Sequence, residues 1–292
     1  MEMIIVENDL LAKLSSYSGK LSKGQRTIAK FISANYDKAA FMTAGKLGKI
    51  VGVSESTVVR FATELGYDGY PAMRKALQEM IRNRLTAVQR IEVAKSMIDD
   101  KELFKSVVGS DVQNLQTTMD EFDKDSFDNC IDSIVNAKKV YIMGMRTSTA
   151  LASFLGLYLN LLRDNVVVIN NTAASEIYEQ LIRVGEGDTV ICISFPRYSS
   201  HTVDGLLFAK EMRAKTIAIT DSPASPFSSI ADICMYAKSD MVSFVDSLVA
   251  PMSLMNAIIV AVGKRNREGV VSIFEKLENI WTEHDVYESP QS

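Results

Sequence analysis

Two hydrophobic patterns with different periods divide the chain. Up to about residue 137, apolar residues recur every three or four positions, which is the spacing of one face of an α-helix. From residue 139 onward, five short β-rich runs alternate with helical stretches. We therefore predict an all-helical N-terminal part, followed by a parallel sheet that helices cover on both faces.

The clearest helical pattern lies in residues 43–66 and predicts two short helices joined by a tight turn. Thr43 is placed to cap the first helix, and Ser54 is placed to cap the second. Gly52 falls where the first helix must stop, and Gly66 ends the second. The predicted buried positions are Ala44, Leu47, Ile50 and Val51 in the first helix and Val58, Phe61, Ala62 and Leu65 in the second.

The outer face of the second helix carries short polar side chains at its leading end and an arginine further along. Such a helix suits insertion into a DNA major groove, because small hydroxyls and free N–H groups can approach phosphates and base edges. The residues that we predict to contact DNA are Thr43, Ser54, Glu55, Ser56, Thr57 and Arg60. The alternative is a helical hairpin of an ordinary all-α domain, in which the hydroxyl residues only cap the helix.

The distribution of charge favours the DNA interpretation, although the whole chain has a net charge of −4. Residues 1–85 carry 13 Lys or Arg against 8 Asp or Glu, whereas residues 86–292 carry 19 against 28. Positive charge is therefore concentrated with the helix pair, as attraction to phosphate requires. An asymmetry of this size can also arise by chance on a solvated surface.

The β-rich runs predict a second domain with a five-stranded parallel sheet in flavodoxin-like order. Its ligand crevice is expected at the carboxyl ends of the strands. The predicted strands are residues 140–144, 166–170, 189–195, 216–221 and 233–237. The predicted helices of this domain are residues 147–163, 173–184, 199–212 and 225–230, followed by closing helices at 244–264 and 268–281.

These patterns give an α+β chain of two domains with a connector. We predict a helix-turn-helix headpiece in residues 1–84, a helical connector in residues 85–127 and the α/β domain in residues 128–292. The connector region has an apolar stripe, and this stripe is either a dimer-forming arm or ordinary surface packing. Its members are Leu103, Val107, Val108, Val112, Leu115 and Met119.

Two strand-to-helix loops, after the first and the third strand, combine hydroxyl residues with an arginine. Hydroxyls, helix N-termini and a guanidinium together suit a phosphate group, although Ser and Thr also cap helices in every α/β protein. The predicted ligand residues of these loops are Gly144, Arg146, Ser148, Ser194, Arg197 and Ser199. Asp246 and Ser247 are further candidates that either reach sugar hydroxyls or cap the following helix.

The composition of the chain disfavours several classes of protein and of binding site. Three scattered cysteines and only two histidines disfavour a disulfide framework and structural zinc, and we predict no metal and no cofactor. No apolar run is long enough to span a bilayer, so no membrane association is predicted. Acids stand near the N-terminus where a signal peptide would carry positive charge, so we expect no export signal and a cytoplasmic location.

The motifs resemble the RpiR (MurR/RpiR) family of bacterial transcription regulators, in which an N-terminal helix-turn-helix is joined to a sugar isomerase (SIS) domain. The most specific part of the resemblance is VGVSESTVVRFATELGYDGYPAMRKAL. The SIS loops of the family usually read G-x-G-x-S and S-x-S-G-x-T. Gly144 and Ser148 match the first loop and Ser194 and Ser199 match the second, whereas Arg146 replaces a glycine and Pro196 and Arg197 replace a Ser-Gly pair.

The resemblance implies a transcriptional regulator whose binding to a double-stranded DNA operator responds to a phosphorylated sugar. We expect a homodimer or a dimer of dimers, because one small headpiece buries little surface on DNA, and we expect the two closing helices to supply the interface. The alternative is a sugar-phosphate isomerase with an accessory helical domain. His201 and Glu176 are the nearest candidates for its base, but an exposed helix residue and a favourable helix-dipole position explain them equally well, so we predict no catalytic residue and no enzyme.

Overall fold

The computed structural model describes residues 21–82, 86, 88–91, 102–170, 174–241 and 244–287. The chain forms two compact units. The first consists of Met1–Val107 with Met241–Asp246, and the second consists of Val108–Asp240 with Ser247–Ser292. The predicted connector lies partly outside the described residues, since residues 92–101 are not among them. The proposed domain boundaries at 84 and 127 stay a prediction.

The described part of the first unit is helical. Its helices are α1 (Lys23–Ala34), α2 (Tyr36–Ala39), α3 (Ala44–Val51), α4 (Glu55–Glu64) and α5 (Gly69–Arg82). The start of α1 is a capping box, in which the Ser22 backbone N–H donates to Gln25 Oε1 at 2.8 Å and the Ser22 hydroxyl accepts from the Gln25 N–H. Such reciprocal bonds satisfy two N–H groups that a helix start leaves open.

One hydrophobic core unites these helices. The core residues predicted for the second helix, Val58, Phe61, Ala62 and Leu65, are all buried. Ala44 and Leu47 of α3 are buried as well. Ile50 was predicted to be buried and is not, because 49% of its surface is exposed. The buried residues of α3 are Ala44, Leu47 and Gly48, and Ile50 lies roughly 110° around the helix axis from the centre of the face that they form.

A buried tyrosine ties the last helix of this core to the chain before α3. The Tyr70 hydroxyl donates to the Met42 carbonyl oxygen at 3.0 Å. Burial raises the pKa of Tyr70 to about 12, against a smaller opposite effect of Arg74. The phenol therefore stays a neutral donor over the physiological pH range.

The second unit contains the predicted five-stranded parallel sheet. Its strands are β1 (Val140–Gly144), β2 (Val166–Ile169), β3 (Thr189–Ile193), β4 (Lys215–Thr220) and β5 (Ile233–Tyr236). They are ordered β2-β1-β3-β4-β5, and every neighbouring pair is parallel. This is the flavodoxin-like order, and it confirms the predicted fold class.

Helices cover both faces of this sheet. The helices from residue 103 onward are α6 (Leu103–Asp120), α7 (Lys124–Asn136), α8 (Ser148–Leu162), α9 (Ala174–Leu181), α10 (Ser200–Glu211), α11 (Val249–Arg265) and α12 (Arg267–Glu283). The first residues of α6 belong to the first unit, and α12 packs on α8 and α11. Alternate residues of each strand face opposite ways, so Ile142 packs in one core with α7, α8 and α11. Met143 packs in a second core with α9 and α10.

Two predicted helices differ from the structure. Residues 225–230 form a series of turns, because the Ser225 hydroxyl bonds the Thr220 side chain at 2.9 Å and accepts from the Phe227 N–H at 3.3 Å. Such local side-chain bonds compete with helix formation. The helix expected from residue 244 begins only at Val249.

Candidate functional site

The α3–α4 pair has the predicted helix-turn-helix geometry. The Thr43 hydroxyl accepts from the Lys46 N–H at 3.2 Å and caps α3. Gly52 has φ +73° and ends α3 in the left-handed region, which glycine adopts without steric cost. The Ser54 hydroxyl accepts from the Thr57 N–H at 3.3 Å and caps α4. The turn is therefore specified by local sequence.

A second glycine lets the two helices approach each other. A Cβ atom on Gly48 would lie 2.8 Å from the Val53 backbone oxygen and 3.4 Å from the Glu55 backbone nitrogen. Carbon atoms are not found this close to backbone oxygens in folded proteins, and backbone cannot move away as a flexible side chain can. Gly48 therefore allows α3 to pack closely against the turn and the start of α4. The hydrophobic pattern of the sequence did not reveal this role.

We expect Gly48→Ala to lower the free energy of unfolding of the first unit by about 1–3 kcal/mol, because the added methyl overpacks the turn. Urea unfolding followed by circular dichroism measures the change. Gly45→Ala is the matched control in the same helix, since its Cβ would meet only the flexible end of Glu55, at 3.0 Å. Equal stability of the two variants would contradict the close packing of the turn.

The leading end of α4 gathers the predicted DNA-contacting hydroxyls. The Ser54 hydroxyl lies 2.9 Å from that of Ser56 and 2.8 Å from that of Thr57. Arg60 is exposed on the following turn. The structure therefore brings these four residues onto one exposed end and face of α4, as a groove-reading helix requires.

Two predicted DNA residues have additional roles in the turn. Thr43 lies at the start of α3 rather than on α4, and its hydroxyl is engaged in capping. The carboxylate of Glu55 points back toward Gly45 of α3. Sequence reasoning also passed over Lys46 and Lys49, which are exposed on α3 three residues apart. Residues three apart lie on the same side of a helix, so this spacing in the sequence could have indicated a basic surface suited to phosphate contacts.

In the second unit, the two predicted ligand loops lie side by side. Gly144 at the end of β1 pairs with Ile193 at the end of β3. The β1 loop (residues 144–148) and the β3 loop (residues 194–199) therefore start at the same edge of the sheet. In this strand order the chain winds in opposite directions from β1 and β3, and ligands of such folds bind at that point.

Buried hydroxyl groups line this edge. Ser148 and Ser194 are each only 4% exposed. The Ser194 hydroxyl accepts from the Ser199 N–H at 3.3 Å, which joins the two ends of the β3 loop. Among the described residues, the buried Thr202 Oγ1 in the first turn of α10 has no hydrogen-bond partner, and Ser199 makes no capping bond to α10. A buried hydroxyl without a partner carries a desolvation cost that a bound polar ligand would remove.

Gly144 brings the start of α8 close to the strand end. A Cβ atom at this position would lie 2.6 Å from the Ser148 carbonyl oxygen and 3.0 Å from the Ala152 side chain. A larger residue would therefore push α8 away from β1. Glycine at position 144 thus serves packing, and it also places the N-terminus of α8 at the edge where a phosphate would be held.

Both arginines of the loops adopt a backbone conformation that normally favours glycine. The φ angle is +56° at Arg146 and +63° at Arg197. Each stands where the family resemblance has a glycine, and both side chains are exposed. An arginine in the left-handed region costs about 1–2 kcal/mol relative to its usual conformations. Positive φ also occurs at Asn165, Arg213 and Asp285, so the strain alone assigns the two loop arginines no role.

The last two predicted ligand residues have partners elsewhere. Asp246 belongs to the first unit and accepts from the guanidinium of Arg90 at 2.9 Å, and Arg90 is only 2% exposed. Ser247 belongs to the second unit, and its hydroxyl contacts the carboxylate of Asp111 at 2.5 Å. Both side chains are thus engaged by other residues, and their role toward a ligand stays a prediction.

The candidate bases for an isomerase lie near the start of two helices. His201 is exposed in the first turn of α10, and Glu176 is half-buried in the first turn of α9. Within the described residues, no group of three or more His, Cys, Asp or Glu could hold a metal ion. None of the helices in the described part of the chain is both long and apolar enough to cross a membrane.

Comparison with known families matches this arrangement. The helix-turn-helix domain of the rpiR family matches residues 8–84, and the SIS domain matches residues 133–261. The first match contains the α3–α4 pair, and the second contains the parallel sheet with both loops. The chain belongs to the RpiR family. This confirms the resemblance that the headpiece and loop motifs indicated.

Individual relatives of this RpiR-family chain are distant. An uncharacterized HTH-type transcriptional regulator of Clostridium perfringens is 23% identical over 224 residues, which are 76% of this chain and 79% of the relative. The HTH-type transcriptional regulator HexR of Escherichia coli is 25% identical over 218 residues, 73% of each chain.

Two solved structures have similar folds. The sugar isomerase domain of an RpiR transcription factor from Sphaerobacter thermophilus has a TM-score of 0.59 and 28% identity, and the match covers 61% of this chain and 99% of that one. The Vibrio vulnificus NanR protein, solved in complex with ManNAc-6P, has a TM-score of 0.57 and 21% identity, with 93% and 98% covered.

Proposed function

We propose that this protein is a DNA-binding transcriptional regulator whose operator binding is controlled by a phosphorylated sugar held in the SIS domain. The observation that carries the proposal is the pairing of two separate sites in one chain. One is an exposed hydroxyl-and-arginine helix end in a helix-turn-helix, and the other is a pair of adjacent loops with buried hydroxyls at helix N-termini. A regulator needs both, whereas an isomerase has no use for the first.

The support for DNA binding comes from α4. Its buried face fixes the helix against the headpiece core, while Ser54, Ser56, Thr57 and Arg60 stay accessible. Small hydroxyls at a helix N-terminus approach a DNA backbone closely, and an arginine one turn later can reach a base edge or a phosphate. The excess of positive charge in residues 1–85 adds a favourable long-range attraction.

The support for a phosphorylated sugar comes from the β1 and β3 loops. Hydroxyl donors, two helix N-termini and two arginines all suit a phosphate dianion, which forms charge-assisted hydrogen bonds with each. A related fold carries a phosphorylated sugar in Vibrio vulnificus NanR. Ligand binding would favour one arrangement of a dimer and thereby the spacing of two recognition helices, with a coupling of about 1–3 kcal/mol.

A panel of phosphorylated sugars in a thermal shift assay, together with a gel shift on the DNA upstream of the protein's own gene, tests the two halves of this proposal. We expect at least one phosphorylated sugar to raise the melting temperature and the upstream DNA to be retarded. Turnover of a phosphorylated sugar without any DNA binding would instead support the isomerase alternative.

We further propose that the protein pairs through its two closing helices, α11 and α12. None of the residues of α12 is buried, and Val271 and Ile280 are each about half exposed on it. Val260 on α11 is likewise exposed. A helix of this length with no buried residue gains little from the fold of one chain alone, so a second copy is the natural cover.

Light scattering coupled to size exclusion is expected to give a dimer or larger species at micromolar concentration. Val271→Glu should shift the distribution toward monomer, because it places a charge in the apolar contact. Val88→Glu is a matched control, since Val88 is exposed on the first unit. A wild-type monomer that also binds DNA as a monomer would refute the proposed pairing.

A further inference from the structure

A buried hydrogen bond links the β3 loop to the end of the next strand. The Tyr198 hydroxyl donates to Asp221 Oδ1 at 2.6 Å. Asp221 directly follows β4 and is only 4% exposed, and Tyr198 is half-buried. A hydrogen bond to a carboxylate that is shielded from water is stronger than one on the surface, so this contact holds the two loops together firmly.

The acceptor of this bond is itself fixed by neighbouring hydroxyls. The Thr220 hydroxyl lies 3.3 Å from Asp221 Oδ1, and the Ser222 hydroxyl lies 3.3 Å from Asp221 Oδ2. The Thr220 hydroxyl also bonds the Ser225 hydroxyl at 2.9 Å. The carboxylate is thus held by hydroxyls within the protein, and we assign it no direct contact with a ligand.

The ring of Tyr198 is fixed as well as its hydroxyl. It packs edge to face against Phe227, with ring centroids 6.1 Å apart and an interplanar angle of 74°. Phe227 is fully buried in the core that α9 and α10 share with the sheet. Tyr198 therefore connects the β3 loop to a rigid part of the domain through two independent contacts.

Tyr198 stands between two predicted ligand residues. Arg197 precedes it with φ +63°, and Ser199 follows it at the start of α10. A strained backbone such as that of Arg197 persists only where the surrounding contacts determine it. The contacts of Tyr198 act on the very next residue, so they are well placed to hold both the arginine and the serine in position.

We propose that Tyr198 and Asp221 are positioning residues of the effector site, which hold the β3 loop in the shape that binds a phosphate group. The inference rests on the proposed function, since it takes the β3 loop to be a phosphate site. The proposed site then also includes Asp221, which follows β4 and affects ligand binding only through its hydrogen bond with Tyr198. The three loops after β1, β3 and β4 then form one support for the ligand.

The test uses the full-length protein and inorganic phosphate as the probe. Tyr198→Phe removes the hydroxyl and keeps the ring, and we expect phosphate affinity to fall about tenfold, the effect of losing one well-made hydrogen bond. Hydrogen exchange at the amides of residues 199–201 should become faster at the same time. Tyr236→Phe is the matched control, because it removes a tyrosine hydroxyl bond to Ser228, 3.3 Å long, outside the β3 loop.

Substitutions of Asp221 separate positioning from a direct role of its charge. Asp221→Asn keeps an oxygen that accepts from Tyr198, so affinity should stay within about threefold of wild type, whereas Asp221→Ala should resemble Tyr198→Phe. A loss in Asp221→Asn as large as in Asp221→Ala would overturn the positioning role.

The wild type distinguishes failure of this inference from failure of the proposed function. If wild-type protein binds phosphate and Tyr198→Phe binds it equally well, with unchanged exchange at residues 199–201, the inference is wrong and the proposed site stands. If wild-type protein does not bind phosphate or any phosphorylated sugar, the proposed site is wrong, and the positioning role fails with it.

Discussion

Replacing Arg197 with alanine is expected to weaken binding of a phosphorylated sugar by about 10- to 150-fold. Arg197 lies on the β3 loop beside Ser199, and it stands in the left-handed region where glycine would be favoured. A charge-assisted hydrogen bond to phosphate contributes about 1.5–3 kcal/mol net, which gives this range of affinities. Calorimetry with the sugar that the thermal shift panel identifies measures the change.

Two further variants isolate the side chain from the backbone. Arg197→Gly should lose the same affinity as Arg197→Ala but be about 1 kcal/mol more stable, because glycine adopts φ +63° without strain. Arg213→Ala is the matched control, since Arg213 is also exposed with φ +64° but lies before β4, at the opposite edge of the sheet. Wild-type affinity in Arg197→Ala would mean that the arginine is not a ligand group.

Replacing Arg60 with alanine is expected to cost about 1–3 kcal/mol of operator affinity if the guanidinium contacts a base. If it contacts a phosphate instead, binding should weaken on all sequences, and the salt dependence should fall by about one unit of slope. Fluorescence anisotropy of labelled operator at several salt concentrations distinguishes the two cases. The reason for choosing Arg60 is its exposed position one turn beyond the hydroxyl cluster of α4.

The control for Arg60→Ala is a variant that also loses one positive charge but at a position outside the recognition helix. Arg183→Ala serves this purpose, because Arg183 is exposed on the second unit. It should leave operator affinity nearly unchanged. Unchanged operator binding by a folded Arg60→Ala protein would remove Arg60 from the predicted interface, and equal losses in both variants would indicate a general effect of net charge.

The helix-turn-helix and the sheet could be predicted from sequence because their signals are local. Gly52 and Ser54 act through their own backbone and nearest N–H groups, so the turn is encoded in a few consecutive residues. The strands of a parallel sheet are buried on both faces and therefore read as short apolar β-branched runs. Each predicted strand accordingly matches the structure to within two residues at its ends.

Features that depend on contacts between distant residues could not be predicted in the same way. Ile50 fits the helical period, but the side of α3 that faces the core is the one that carries Ala44, Leu47 and Gly48. Tyr198 and Asp221 are 23 residues apart, and neither belongs to a motif. The partner of Asp246 is Arg90, 156 residues earlier in the chain, so its engagement is visible only in the fold.

The central claim is that a phosphorylated sugar changes the affinity of the protein for its operator. The most direct test is an anisotropy titration of labelled upstream DNA with protein, at saturating concentration of the sugar and without it. The account predicts that the sugar changes the operator dissociation constant by about 5- to 150-fold, and that DNA changes the affinity for the sugar by the same factor. An identical dissociation constant with and without bound sugar would contradict it.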